Sequence, residues 1–226
     1  MPELKQNINY ISAANMQTIN AGSIMYRFTK RCVDLLFSLL VMPMYLIIYI
    51  LVAAVVKFTD GGPVLYKSAR IGQDGKTFYM YKFRTMKINA DKLEDFLTPD
   101  ELEKYKKEYK LENDPRVTAI GNILRKTSAD ELPQILNIIK GDMSLIGPRP
   151  VLKEETLLYG KDRTTLLSVK PGLTGYWQAY ARNDVGYADG RRQEMELYYI
   201  KNMSLKFDTK IFFATIRRVL SRKGVF

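Results

Sequence analysis

The sequence contains no histidine among its 226 residues and a single cysteine, Cys32. Without histidine there is no Ser-His-Asp or Cys-His catalysis, no His-ligated metal and no imidazole general base. One cysteine rules out an intramolecular disulfide and a Cys-rich zinc site. There is also no Walker A loop, no GxGxxG after a strand and no zinc signature. Any acid–base or nucleophilic work falls to Asp, Glu, Lys, Tyr, Ser or Thr. Positive charge, by contrast, is abundant: 35 Lys and Arg against 24 Asp and Glu give a net +11. That surplus points to an anionic partner, whether nucleic acid, phospholipid or a phosphorylated substrate. No nucleic-acid motif accompanies it. The length and the 46% hydrophobic content suffice for one folded domain with its own core.

The apolar residues are not evenly spread. Val33–Val56 reads VDLLFSLLVMPMYLIIYILVAAVV, interrupted only by Asp34, Ser38 and Pro43. About 20 apolar residues in a helix cross the hydrocarbon core of a bilayer. The run starts too late for a signal peptide, and no small-residue cleavage site follows it. A membrane helix is favoured over a buried core helix, which would need covering on every side. Arg27, Lys30 and Arg31 precede it and Lys57 follows, so the positive-inside rule assigns no orientation. Pro43, near the middle, removes a backbone donor and favours a kink. A kinked spanning helix and a re-entrant hairpin broken at Pro43 fit this pattern equally well.

Residues 1–24 form a polar N-terminal extension, residues 25–57 the membrane-embedded helix, and residues 58–226 the remaining, basic domain. Val64–Ala69 and Thr77–Phe83 read as a β-hairpin with Asp74-Gly75 at its turn. Ala90–Leu111 is charged and mostly helical, with a restart at Thr98-Pro99-Asp100. Ile120–Lys126 and Ser128–Lys140 read as helices, the second stopped by Gly141. Residues 151–168 and 190–201 also read as helix, and Lys170–Gly175 as a turn. Asp208–Lys223 is a basic amphipathic helix suited either to a membrane interface or to the core. The class is α+β, mostly helical, with one small hairpin.

Adjacent acids near a basic loop are the strongest chemical signal. Ser128 with Glu131 forms a capping-box pattern, and Asp130 suits the positive end of a helix. A carboxylate held there is equally well placed to work on a phosphate. Neighbours on a helix point about 100° apart, so Asp130 and Glu131 should take different roles. Arg149, between two prolines in GPRP, is preorganised to clamp a phosphate with its planar fork. Lys82 and Arg84 share one face of a strand. A pyrophosphate substrate would suit Mg²⁺, which takes one or two carboxylates plus phosphate oxygens.

Several stretches in order resemble the bacterial sugar transferase family, the monotopic phosphoglycosyl transferases. They are KRCVDLLFSLLVMPMYLI (30–47), YKFRTM (81–86), NDPRVTAIGNILRKTSADELPQILNIIKGDMSLIGPRP (113–150), VKPGLTGYWQAYARND (169–184) and YYIKNMSLKFDTKIF (198–212). The resemblance covers roughly residues 25–226 and is closest to the small, catalytic-domain form. It implies transfer of a phospho-sugar from a UDP-sugar to polyprenyl phosphate, usually undecaprenyl phosphate, with release of UMP. The product would begin an exopolysaccharide, capsule or related glycan. It also implies Mg²⁺, a re-entrant hairpin, and a catalytic domain on the cytosolic face of the inner membrane. Asp130 would be the nucleophile of an Asp-Glu dyad, forming a phospho-sugar aspartyl intermediate. Glu131 would orient the site, help Asp130 hold Mg²⁺ or manage a proton. Arg149 would clamp phosphate, and Lys82 and Arg125 would balance the anions. Where some relatives break the hairpin at Ser-Pro, this chain has Met42-Pro43. Glu196 stands where some carry aspartate. A glycosyltransferase releasing UDP, and a non-enzymatic partner of a polysaccharide assembly complex, remain the competing readings. The sugar and the oligomeric state, a homo-oligomer included, are left open.

Overall fold

The computed structural model describes residues 23–59, 61–108, 111, 114–181 and 190–221. Residues 1–22 of the N-terminal extension, the Arg182–Asp184 part of the ARND motif and Arg222-Lys223 lie outside the described residues.

The apolar run forms one helix, α1 (Ile24–Thr59), with Pro43 inside it. It is long and apolar enough to cross a membrane. Proline cannot donate, so the Leu39 carbonyl has no helical partner there. The two polar interruptions explain how the helix is seated. Asp34 and Ser38 are buried, and Tyr45, Val52 and Val56 continue the same stripe toward the C-terminal end. This spacing of four and seven residues is one helix face. The Asp34 carboxylate accepts from Leu145 N–H at 2.8 Å and Ser144 Oγ at 3.1 Å, while Ser38 Oγ donates back to the Asp34 carbonyl at 2.7 Å. Tyr45, Val52 and Val56 pack with Phe83, Leu124 and Ile135. The opposite stripe, including Leu36, Leu40, Ile47 and Leu51, is apolar and exposed.

The hairpin is present. Strands β1 (Leu65–Ile71) and β2 (Thr77–Phe83) pair antiparallel, Leu65 opposite Phe83 and Ile71 opposite Thr77. Asp74 and Gly75 both adopt positive φ (57° and 74°), the twist that suits a tight hairpin turn. The charged stretch yields α2 (Pro99–Glu108), and α3 (Ala119–Lys126) is capped by Thr118, whose hydroxyl accepts from Gly121 N–H. A 3₁₀ segment (Ala129–Gln134) leads into α4 (Ile135–Lys140), and Gly141 ends that helix at φ 88°, as its lack of a Cβ permits.

Two segments depart from expectation. Residues 151–168 are not one α-helix: a 3₁₀ stretch (Glu155–Asp162) bends at Gly160 and then gives α5 (Arg163–Leu167). The turn expected at Lys170–Gly175 contains a strand, β4 (Gly172–Thr174), parallel to β3 (Ser144–Ile146). Glycine makes this pairing possible, because a Cβ at Gly172 or Gly175 would overlap the Gly147 backbone. Helices α6 (Tyr176–Ala181), α7 (Arg191–Lys201) and α8 (Leu205–Leu220) complete the domain. The second core gathers Leu145, Ile146, Val151, Tyr199, Ile200 and Ile211. Asp208 of α8 ties three elements together, accepting from Lys30 Nζ at 2.7 Å, Tyr26 Oη at 2.9 Å and Tyr199 Oη at 2.8 Å.

Asp34→Ala would orphan a buried N–H and hydroxyl, which costs about 1–3 kcal/mol. At this chain length that is a fall of about 2–4 °C in Tm per kcal/mol. Thermal unfolding of the detergent-solubilised protein measures it, and an unchanged Tm would show that the tie between α1 and β3 contributes no stability.

Candidate active site

Strand alternation puts Lys82 on the same face of β2 as Phe78 and Met80, which pack on Ile138 and Met143. An apolar strand face thus ends in an ammonium group. Opposite it lies the Ala129–Gln134 segment, and two ties hold that segment in place. Asn137 of α4, fully buried, accepts from Tyr81 N–H at 3.0 Å and donates to the Tyr79 carbonyl at 2.7 Å. It occupies the free edge of β2 as a neighbouring strand would. Arg31 of α1 donates to the Ile138 and Ile139 carbonyls at 2.6 and 2.9 Å, at the negative end of α4.

The capping box expected at Ser128 and Glu131 does not form. Ser128 is left-handed (φ 56°, ψ 16°) and its side chain makes no cap bond. A capping residue needs extended backbone to aim its hydroxyl into the helix. Instead Glu131 N–H donates to the Ser128 carbonyl at 3.3 Å, a 3₁₀ step in place of an α-helical start. The same turn presents both acids to one cation. Lys82 Nζ donates to Glu131 Oε1 at 2.9 Å and lies 3.6 Å from Asp130 Oδ2. Asp130 is the more enclosed acid, and burial, its largest influence, holds its pKa above the usual aspartate value. Glu131 adds to that rise, while Lys82 and Arg125 oppose it.

A cavity of about 480 Å³ opens beside this group. Lys82, Glu131 and Arg149 all line it, so three residues far apart in sequence share one wall. Asp130 does not line it but lies within 3.6 Å of Lys82, which does, and has 13% of its side chain exposed. Arg125, in the last turn of α3, donates to Thr85 Oγ1 at 3.0 Å and acts on Asp130 through charge. It too is outside the lining. Arg84 lies beyond the end of β2 against Gly62, also away from the cavity.

Arg149 is positioned by more than its prolines. Gly147 N–H donates to the Thr174 carbonyl and Gly172 N–H to the Pro148 carbonyl, hooking the loop to β4. The Arg149 N–H donates to Glu196 Oε1 at 3.2 Å. Glu196 is completely buried, and burial pushes its pKa up to about 7 against the pull of the Arg149 N–H, Arg192 and Arg149. Trp177 receives both guanidinium groups over its ring, Arg192 at 4.2 Å and Arg149 at 5.9 Å. Asn137 and Trp177 were not singled out from sequence. The available signal for Asn137 was an amide inside the apolar string ILNII.

Among the described residues no group of three or more Asp, Glu or Cys side chains converges as a metal cage. Two carboxylates are present, and Mg²⁺ often uses only one or two with substrate phosphates supplying the rest. The donor set fits such an ion. Asp130 and Glu131 would hold it.

A family model described as bacterial sugar transferase matches residues 25–222. The chain belongs to that family. It is 46% identical over 198 residues to the exopolysaccharide production protein ExoY of Rhizobium meliloti, covering 86% of this chain and 87% of that one. It is 42% identical over 207 residues to the undecaprenyl-phosphate galactose phosphotransferase of Salmonella typhimurium, covering 88% of this chain and 42% of that longer protein. An Aeromonas hydrophila protein named UDP-N-acetylgalactosamine-undecaprenyl-phosphate N-acetylgalactosaminephosphotransferase is 35% identical over 209 residues, covering 89% of this chain and 46% of that one.

Two predictions follow from the charges around the dyad and the loop. A reaction that needs Asp130 ionised loses kcat/KM on acidification at a pH above that of an ordinary aspartate. Lys82→Met removes a cation that opposes the rise, so the acid limb should move to higher pH; a limb left in place would separate Lys82 from the reacting acid. Arg149→Lys keeps the charge and loses the fork, and turnover should fall about tenfold or more. Near-normal turnover in a steady-state assay would remove Arg149 from substrate binding.

Proposed function

We propose that this protein is a phosphoglycosyl transferase that moves a sugar phosphate from a UDP-sugar to undecaprenyl phosphate, releasing UMP and beginning assembly of an exopolysaccharide or related glycan. The observation that carries the proposal is the placement of the Asp130–Glu131 pair on Lys82, at the edge of a cavity shared with Arg149. The donor and acceptor substrates named for the relatives are both phosphorylated. A site that brings such anions together needs fixed cations more than it needs histidine.

In the first step an Asp130 carboxylate oxygen attacks the phosphorus that bears the sugar. The phosphoanhydride bond breaks, and UMP departs with the bonding pair on its phosphate oxygen. In the second step an oxygen of the acceptor phosphate attacks the same phosphorus and Asp130 leaves as carboxylate. Arg149 grips phosphate oxygens with its fork. Lys82 offsets the negative charge of the dyad, and Glu131 holds Lys82 in place through its 2.9 Å contact. Arg125 keeps Asp130 toward its ionised form. Asp130 and Glu131 would hold Mg²⁺, which would supply charge neutralisation to the phosphates.

We read α1 as re-entrant at Pro43, entering and leaving the membrane on the cytosolic face; its seating supports the part of that reading in which it does not span. Its inward stripe touches the catalytic domain from Asp34 to Val56. That is about 33 Å of helix at 1.5 Å per residue. A helix perpendicular to the bilayer could make those contacts only by drawing the polar domain into the hydrocarbon. A helix whose outward stripe meets lipid keeps them without that cost.

The test of the reaction is the nucleotide formed when the purified protein meets undecaprenyl phosphate, Mg²⁺ and a panel of UDP-sugars. UMP is expected, abolished by Asp130→Asn. UDP would assign the protein to the glycosyltransferases that move only the sugar. For the topology, tags at both termini of the chain in intact cells should be shielded from external reagents. A labelled N-terminus with a shielded C-terminus would show that α1 spans.

A further inference from the structure

The cavity has two chemically distinct parts, and the reaction explains only one of them. Beyond Lys82, Glu131 and Arg149 the lining still includes polar groups, Gln178, Thr215 and Arg218 among them, but two stretches of it, one on α1 and one on α8, are apolar. Phe37, Val41 and Met44 of α1 form one side; Phe212, Ile216 and Val219 of α8 form the other. Within each helix the three residues lie at spacings of three and four, on a single face. The rings of Phe37 and Phe212 meet edge to face, 5.9 Å apart, where the two helices come together. The apolar walls run on into exposed apolar surface: Leu40 and Ile47 on α1, and Phe213 on α8.

A UDP-sugar does not match this part of the cavity. Against the apolar residues of α1 and α8, any hydroxyl or uracil group left unpaired would be taken from water at a penalty of the order of 1–3 kcal/mol. A molecule with one anionic end and a long apolar chain matches both parts at once. The structure assigns the α1–α8 slot to the isoprenoid chain of the acceptor, at the end next to its phosphate. This rests on the phosphoglycosyl transferase reading and adds the place where the lipid is held. The phosphate meets Lys82 and Arg149. Phe37 to Met44, like Phe212 to Val219, spans about 10 Å along a helix, so the slot holds only the first units of the chain. The rest continues over the exposed apolar faces of α1 and α8, where the helix seating already puts lipid. Asp130 is not among the residues that line the slot, so the lipid chain held there does not cover it.

The two half-reactions test this separately. Exchange of labelled UMP into a UDP-sugar, with no lipid present, reports only the donor step. Transfer to undecaprenyl phosphate reports both. The sugar is the one that supports UMP release in the panel assay. Ile216→Trp narrows the slot from α8, and Val41→Trp narrows it from α1. Each should leave exchange within about twofold and raise the KM for undecaprenyl phosphate about tenfold, as expected for displacing one or two methylene groups from an apolar site. Two outcomes overturn the assignment. One is an unchanged acceptor KM in both variants; the other is loss of exchange in step with transfer, which would make the slot part of the donor site or of the fold. Intact exchange in either variant certifies that it is folded. If the parent protein transfers sugar but shows no exchange, the covalent mechanism fails alone, and the acceptor KM of the two variants still decides the slot.

Discussion

The ammonium group of Lys82 lies 2.9 Å from Glu131 and 3.6 Å from Asp130. Without it, two carboxylates on adjacent residues in a partly buried site would repel each other and take up protons. The surrounding structure serves to put that one cation opposite that one turn. β2 carries Lys82 at the end of an apolar face. Asn137 bonds to the β2 backbone and fixes α4, and α4 fixes the 3₁₀ turn that leads into it. Arg31 reaches from α1 to the end of α4. The apolar helix and the turn that carries the two acids are therefore two parts of one framework.

That framework makes sense of the polar residues in the apolar run. Asp34 looks like an obstacle to membrane insertion when read along the sequence. In three dimensions it is the point at which α1 is fastened to β3, and Ser38 supports it from the next turn. One face of α1 thus carries protein contacts and the other faces outward with bare apolar side chains. The cavity lies where these regions adjoin, with charged residues at one end and hydrocarbon side chains along the other. A reaction that joins a water-soluble donor to a lipid acceptor requires such a boundary.

Much of this was legible in the sequence. The hairpin, its Asp74-Gly75 turn, the stop at Gly141 and the long apolar helix follow from local propensity. The acids and Arg149 stood out through their setting. Contacts made between distant segments were not legible. The parallel pairing of β3 with β4 depends on glycines that let two backbones approach, and reads locally as a turn. The capping pattern at Ser128 has the right letters, yet the backbone there is left-handed and the box cannot close. Nothing near Asn137 or Trp177 in the chain announces their partners, because those partners lie on β2, on α7 and on the 149 loop. Glu196 could be noted from its place before paired tyrosines, but only the fold shows that it receives the Arg149 N–H in a buried pocket.

The central claim is that Asp130, 3.6 Å from Lys82, carries the sugar phosphate through the reaction. Incubating the protein with Mg²⁺ and its UDP-sugar in the absence of lipid should leave the intermediate on the enzyme. Mass spectrometry of the rapidly quenched, digested protein should then find a sugar phosphate added to the peptide containing Asp130, removed on addition of undecaprenyl phosphate. An enzyme that turns over with lipid yet never carries that mass, or carries it on Glu131, would contradict the account.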